Sequence, residues 1–251
     1  MKLHIDTAPV WEAYREDCEC PLCLLFNKVE ADGVTYFLGE SVMEPSQRIE
    51  VNRKGFCAKH FRQMYDVGNR LGLALMTHTH MKETLRNQRE LAQRLKDAAR
   101  EEAARPAIGR LVRKKGVQSI AEAAGALASL DASCALCERI ETSMRRYIHT
   151  ILYMYGHEAD FPGLFRASKG MCLKHYGETL AMAQAELSGK TLQAFIDDIT
   201  EIEIKSFERL EGEIDWFTRK FDYRNADKPW GNSKDAVKRS INKLRTHVID
   251  N

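Results

Sequence analysis

Several features that would assign the chain to a common class of protein are missing. No apolar run reaches the roughly 18 residues that a membrane-spanning helix needs. The first residues, MKLHIDTAPVWEAYRED, carry acids and lack an apolar core, so we expect no secretory signal. The net charge of +2 is close to neutral and provides no field over the whole chain for nucleic acid or membrane lipid. We therefore expect a cytoplasmic protein that does not enter a membrane.

The motifs of common enzyme classes are also absent. The sequence has no phosphate-binding glycine loop, no nucleophile elbow and no pair of carboxylates placed for acid–base catalysis. No segment shows the alternation of apolar and polar residues that a half-buried strand requires. These absences favour a non-enzymatic protein built from helices, although helical bundles also hold catalytic sites that no short motif reveals.

The sequence does contain two cysteine motifs that each occur twice. Residues 20–23 read CPLC and residues 134–137 read CALC, an offset of 114 residues. Residues 54–61 read KGFCAKHF and residues 169–176 read KGMCLKHY, an offset of 115 residues. Two motifs in one order at matched spacing indicate two copies of one ancestral unit. Six of the seven cysteines belong to this pattern, and only Cys18 stands outside it.

The repeat predicts how the chain is organised. We expect a first zinc-binding helical repeat at residues 1–105, a basic linker at 106–115 and a second zinc-binding helical repeat at 116–215. Residues 216–251 are expected to form a C-terminal tail and helix that pack on the core. In copy two, apolar residues at steps of three and four predict one helical face: Ile140, Met144, Tyr147, Ile148, Ile151, Leu152 and Tyr155. In copy one, Gly33 weakens the equivalent helix, and a further helix is predicted from about residue 58 to 104. The predicted fold is all-α, with two pseudo-symmetric helical modules that are each clamped by a Cys3His zinc site.

The composition of the paired motifs is that of a zinc site. In a reducing compartment, spaced cysteine pairs indicate metal or redox chemistry more often than disulfides. A CxxC turn presents two thiolates, and a CxxH pair at i and i+3 of a helix presents two further ligands on one face. Four such ligands complete the tetrahedral shell of a structural zinc ion. We predict two zinc ions per chain, one held by Cys20, Cys23, Cys57 and His60, and the other by Cys134, Cys137, Cys172 and His175.

Other chemistries of paired cysteines stay open at this point. An iron–sulfur cluster with three cysteines and one histidine is a minor alternative. CPLC resembles the active-site motif of glutaredoxin-like proteins, but copy two has Ala135 in place of the proline and no strand precedes either motif. Covalent haem would need a histidine where Leu24 and Glu138 stand. Cys18 could be an alternative metal ligand, a reactive thiol or a buried residue, and burial is the favoured interpretation.

A basic segment covers residues 82–115, which hold eleven Lys or Arg against five Asp or Glu. Nucleic-acid binding is one interpretation of this charge. A solvated helix with internal ion pairs is the favoured interpretation, because the aromatic residues that commonly stack on bases are absent there.

The tail, residues 219–239, concentrates aromatic and guanidinium side chains of the types enriched in binding hot spots. We expect Phe221 and Trp230 to dock on the helical core, and a helix through residue 248 to be capped by Asn232 or Ser233. The candidate interaction surface consists of Tyr223, Arg224, Asn225 and Trp230.

With these residues laid out, the chain resembles a family of bacterial proteins of about this length whose function is unknown. The resemblance rests on CPLC, on the paired CxxH motifs and on the tail KFDYRNADKPWGNSKDA, and it covers essentially the whole chain. It implies a bacterial cytoplasmic protein and supplies no activity. The leading interpretation is a non-enzymatic zinc-binding helical protein that contacts other proteins. The alternatives are a nucleic-acid-binding regulator that uses helix 82–115, and a thiol redox or metal sensor that reacts at Cys18.

Overall fold

The structure, a computed structural model, describes residues 4–104 and 115–246. Within these residues the chain is helical and has no strand, so the predicted all-α class is confirmed. The described α-helices are α1 (His4–Arg15), α2 (Pro21–Leu38), α3 (Pro45–Lys54), α4 (Ala58–Val67), α5 (Arg70–Ala103), α6 (Lys115–Ala132), α7 (Ala135–His157), α8 (Phe161–Ala167), α9 (Leu173–Glu186), α10 (Gly189–Arg219) and α11 (Ala236–Arg245). Short 3₁₀ helices cover Glu40–Met43, Tyr223–Asn225 and Gly231–Ser233.

The helices belong to two compact units. The first unit comprises residues 1–29 and 142–251, and the second comprises residues 30–141. The boundary falls within α2 and within α7, so each of these helices contributes residues to both units. The compact units therefore do not coincide with the two sequence copies, whose common ancestry stays a prediction.

The core of the first unit is rich in aromatic rings. Phe161, Phe165 and Phe195 are each at most 1% exposed. The ring of Tyr14, on α1, lies 5.1 Å from that of Phe161, and the ring of Tyr155, on α7, lies 5.0 Å from that of Phe195. The seven apolar residues predicted to line one face of α7 are all buried. This face is the one that the spacing of three and four predicted.

In the second unit, Gly33 lies within α2 next to the side chain of Leu136. The helix continues through this residue to Leu38. A Cβ atom at Gly33 would collide with the side chain of Leu136, which is fully buried. Gly33 therefore does not interrupt the helix, and its missing side chain leaves room for Leu136.

The helix predicted from residue 58 to 104 is divided into α4 and α5, so that prediction is wrong in its continuity. Gly68 ends α4 in the left-handed conformation, with φ +93°, and its N–H donates to the carbonyl of Tyr65. Asn69 then begins α5, because its side-chain oxygen accepts the N–H of Gly72 at 3.0 Å. A glycine and an asparagine in succession thus supply a C-terminal stop and an N-terminal cap.

Candidate metal centres

All four cysteine motifs share one local arrangement at the start of a helix. The first cysteine of each motif stands directly before the first helical residue, and the second ligand follows three positions later in the first turn. The pairs are Cys20 and Cys23 at α2, Cys57 and His60 at α4, Cys134 and Cys137 at α7, and Cys172 and His175 at α9. Pro21 occupies the first helical position, where proline is favoured because its missing N–H would be unpaired anyway. The positive end of each helix dipole also favours the charged form of the thiol.

The motifs combine across the two copies and not within them. Site 1 consists of Cys20, Cys23, Cys172 and His175. Site 2 consists of Cys57, His60, Cys134 and Cys137. The predicted assignment, in which each copy supplied all four ligands of one ion, is therefore wrong. The error has a physical cause, because the copies carry identical ligand types and local spacing does not distinguish partners that are distant in sequence.

In site 1 the ligand atoms have the spacing of a tetrahedron around one ion. At zinc bond lengths of about 2.3 Å to sulfur and about 2.0–2.1 Å to nitrogen, the tetrahedral edges are about 3.8 Å between sulfurs and about 3.6 Å between sulfur and nitrogen. The sulfurs of Cys23 and Cys172 are 3.7 Å apart. Nδ1 of His175 lies 3.4 Å from the sulfur of Cys20, 3.6 Å from that of Cys23 and 3.3 Å from that of Cys172. These residues therefore fit a tetrahedral metal ion.

Site 2 has the same dimensions. The sulfurs of Cys57 and Cys137 are 3.8 Å apart. Nδ1 of His60 lies 3.3 Å from the sulfurs of Cys57 and Cys134 and 3.4 Å from that of Cys137. His60 is 2% exposed, whereas Cys137 is exposed. Both clusters thus fit the same ion, but one residue of site 2, Cys137, is exposed.

The thiols of each cluster affect one another's ionisation. In site 2, burial opposes ionisation of Cys134, but hydrogen bonds with His60 and with the N–H of Cys137 lower its pKa to about 6. Burial and the neighbouring Cys134 raise the pKa of Cys137. In site 1, hydrogen bonds with Cys20 and Cys23 lower the pKa of Cys172, while burial raises the pKa of Cys20. One thiolate in each cluster therefore disfavours the next, and a cation at the centre would favour the ionised form of all three thiols.

A glycine of left-handed conformation precedes each CxxH motif. Gly55 has φ +64° and Gly170 has φ +78°. A Cβ atom on Gly55 would lie 2.5 Å from Nε2 of His80, and one on Gly170 would lie 2.5 Å from a carboxylate oxygen of Glu203. The positive φ at this turn therefore favours glycine, and a Cβ atom would also require the neighbouring side chain to move.

Two buried charged residues that the sequence did not single out support site 1. Lys243 of α11 has a side chain that is 0% exposed, and its ammonium lies 3.1 Å from Oε2 of Glu203. The same ammonium donates to the carbonyls of Lys169 at 2.7 Å and Glu19 at 3.4 Å. Glu203 in turn accepts the N–H of Met171. The pair thus joins the segment before Cys20 to the turn before Cys172.

Cys18 lies outside both clusters. It is partly exposed, and burial raises the pKa of its thiol to about 11. A thiol that is mostly protonated at neutral pH is a poor nucleophile, so the structure does not favour Cys18 as a reactive group.

The tail differs from the expected arrangement. Phe221 is 75% exposed and does not dock in the core, although its ring lies 5.4 Å from that of Phe217 and 6.3 Å from that of Trp230. Trp230 is partly buried, as expected for a docking residue. Tyr223 is 86% exposed. The expected docking of Phe221 is therefore wrong, and Trp230 alone packs as predicted.

The polar residues of the tail contact one another. Arg224 is exposed, and its guanidinium donates to both carboxylate oxygens of Asp222. Asn225 donates from its side chain to the carbonyl of Arg219 at 2.9 Å. The buried ammonium of Lys220 donates to three carbonyls, those of Asn225 and Ala226 at 2.8 Å and that of Lys228 at 2.6 Å. Lys220, which the sequence did not single out, therefore closes the loop that presents Tyr223.

The expected caps of the last helix are also wrong. Asp235 precedes α11, and no side chain caps its first turn. The hydroxyl of Ser233 donates to the carbonyl of Trp230 at 2.7 Å instead. The helix ends at Arg245.

The basic segment is described as far as residue 104. Up to this residue the segment holds six basic and five acidic residues, so most of the excess positive charge lies in residues 105–115. Ion pairs on α5 join Arg86 to Glu83, and Arg100 to Asp97. The expected basic linker, residues 106–115, lies outside the described residues except for its last residue. Among the described helices, none has the length and apolar character to cross a lipid bilayer.

Comparison with known proteins identifies a family. A search of curated proteins and a search of solved structures each returned no match. The resemblance inferred from the cysteine motifs and the tail is confirmed by a family model that matches residues 1–251. That model carries the description "Family of unknown function (DUF6062)", and the chain therefore belongs to this family.

Proposed function

We propose that the protein binds two structural zinc ions, at site 1 and site 2, and acts through contact with other proteins and not by catalysis. The observation that carries the proposal is the tetrahedral spacing of three sulfurs and one imidazole nitrogen in each cluster. Zinc favours this ligand set, and four protein ligands leave no coordination position for a substrate.

The spacing supports a single ion at each site over an iron–sulfur cluster. The ligands of a cluster bind different iron atoms, so they lie farther apart than four ligands of one ion. Here all four ligand atoms of each site lie within 4.8 Å of one another. The iron–sulfur alternative therefore becomes less favourable, and metal analysis decides it.

The proposed ions would connect parts of the chain that are distant in sequence. Site 1 joins Cys20 to His175 across 155 positions, and site 2 joins His60 to Cys134 across 74 positions. A metal that closes such long loops adds its binding free energy to the free energy of folding. Thiolate ligands persist in a reducing compartment, which agrees with the cytoplasmic location that we propose.

The first experiment is elemental analysis of the full chain, purified without chelator. We expect two zinc ions per chain and no visible absorption. The crossed assignment is tested with paired cysteine variants. Cys57→Ser combined with Cys137→Ser removes two ligands of one site and should leave one ion, whereas Cys137→Ser combined with Cys172→Ser should leave none. One metal or none in the wild-type protein, or iron with absorption near about 400 nm, would overturn the proposal.

Contact with other proteins is the functional part of the proposal, and exposed aromatic side chains of the tail support it. Tyr223 and Phe221 are 86% and 75% exposed on a loop that Lys220 holds closed. Tyrosine and phenylalanine on a rigid base bury large area at low entropic cost when a partner binds. A photo-crosslinking residue at position 223 should join the chain to one partner protein in cells. The same residue at the exposed position 32 serves as the control, and equal crosslinking at both positions would contradict a specific surface.

A second candidate function is a metal or redox sensor, and the exposure of Cys137 favours it. An exposed zinc thiolate can be oxidised, and the loss of one ligand then weakens the hold on the ion. Mild hydrogen peroxide should release zinc from site 2 before site 1, as measured with a chromophoric chelator. Simultaneous release from both sites would count against this function.

A further inference from the structure

The two ring nitrogens of His60 face different groups. Nδ1 faces the three sulfurs of site 2 at 3.3–3.4 Å. Nε2 lies 3.1 Å from Oε1 of Glu30, which belongs to α2. Because an ionised carboxylate only accepts hydrogen bonds, Nε2 carries a ring proton, and in the neutral imidazole Nδ1 then has the lone pair, which is directed at the sulfurs.

Glu30 is itself held by the helix that carries His60. Nζ of Lys59 donates to Oε1 of Glu30 at 2.6 Å, and the side-chain amide of Gln63 donates to Oε2 at 3.0 Å. The Glu30 side chain is only 11% exposed. Both carboxylate oxygens therefore have donors, and the carboxylate is fixed in the position that receives Nε2–H.

We propose that Glu30 is a positioning residue of site 2, which sets the tautomer and ring orientation of His60 for metal binding. This inference rests on the proposed function, because it assigns Glu30 a role toward the ion of that site. In many zinc sites, a carboxylate accepts the N–H of the histidine ring nitrogen that does not bind the metal. The carboxylate also raises the basicity of the imidazole, so that its free nitrogen binds the ion more strongly.

The second copy has no carboxylate at the position that corresponds to Glu30. Position 30 corresponds to position 144 at the offset of 114 residues, and Met144 stands there. A thioether is a weak hydrogen-bond acceptor and carries no charge. Near site 1 a different contact is present, because the hydroxyl of Thr246 lies 2.8 Å from the sulfur of Cys172. A change at Glu30 should therefore affect site 2 and leave site 1 unaltered.

The test compares zinc release from the full chain of Glu30→Gln and Glu30→Ala with that of the wild type. The matched control is Asp32→Asn, which removes the same charge at an exposed position of the same helix. A chromophoric chelator follows release from both sites, and Cys137→Ser identifies the contribution of site 2. We expect Glu30→Ala to weaken zinc binding at site 2 by about 10–100-fold, Glu30→Gln by less, and site 1 to be unchanged.

Several results would overturn the inference. Zinc binding at site 2 that is unchanged in Glu30→Ala would refute it, and so would equal weakening of both sites, because a general loss of stability would then explain the effect. A long-range ¹H–¹⁵N spectrum of the wild-type protein tests the tautomer without any variant, and a proton on Nδ1 of His60 would also refute it. A wild-type protein without zinc would instead refute the proposed function itself, so the two failures are distinguishable.

Discussion

Removal of the buried ammonium of Lys243 should be among the most destabilising single changes on α11. The Lys243 side chain is 0% exposed and that of Glu203 is 5% exposed, so Lys243→Met leaves the Glu203 carboxylate buried without its ion-pair partner. Breaking a buried pair in this way costs about 3–5 kcal/mol. The carbonyls of Lys169 and Glu19 lose a donor in the same change. We therefore expect a loss of about 3–5 kcal/mol in the free energy of unfolding.

The double variant separates the charge from the packing. In Glu203→Gln combined with Lys243→Met, no charge is left unpaired, and the glutamine oxygen still accepts the N–H of Met171. Replacing both members of a buried pair is often nearly neutral, so the double variant should be more stable than Lys243→Met alone. The coupling between the two positions should fall within about 0.5–3 kcal/mol.

Urea unfolding of zinc-saturated protein measures these differences, with Lys238→Met as the control. Lys238 lies on the same helix, is partly exposed and has no ion pair among the described residues, so its loss should change stability by no more than about 0.5 kcal/mol. Zinc content is measured in parallel, and Lys243→Met should lose zinc from site 1 before it loses zinc from site 2. A loss in the free energy of unfolding below about 1 kcal/mol, or equal losses in Lys243→Met and Lys238→Met, would refute the reasoning. Breaking a buried ion pair should destabilise the protein much more than removing a surface side chain.

Three further predictions concern single positions. Gly170→Ala places a Cβ atom against Glu203 on a residue with φ +78°. It should therefore lower the midpoint of thermal unfolding and weaken zinc binding at site 1, and unchanged values would contradict the need for glycine there. Lys220→Met leaves three carbonyls without their donor, and amide hydrogen exchange in residues 225–228 should rise while the core of the first unit stays protected. Arg224→Ala removes an exposed ion pair and should change the free energy of unfolding by at most about 0.5 kcal/mol in urea, so a larger loss would show that the pair is structural.

The candidate ligands could be found from the sequence because their spacing is local. A cysteine before a helix and a second ligand three positions later share one helical face, whatever the rest of the chain does. The partners of each pair could not be found in this way. Cys23 and Cys172 are 149 positions apart, and each copy offers the same ligand types, so no local pattern favours the crossed arrangement over the uncrossed one.

The supporting residues were missed for a different reason. Glu30 and Lys243 lie on helices that also carry exposed charged residues, and a sequence does not distinguish a buried charge from a solvated one. For Glu30 a signal did exist, because its counterpart in the second copy is the apolar Met144. A charge at a position that is apolar in the other copy indicates a polar partner, which here is His60.

The crossed ligands also determine when each site can be completed as the chain leaves the ribosome. Cys20 and Cys23 emerge early, but the ligands they need follow only after about 150 further residues, as the separation of 149 positions between Cys23 and Cys172 shows. His60 and Cys134 are 74 positions apart, so all residues of site 2 leave the ribosome before the second CxxH motif does. During that interval the first CxxC motif has no histidine partner. Vectorial synthesis thus gives the two sites an order of assembly, in which the first CxxC motif to emerge belongs to the last site to be completed.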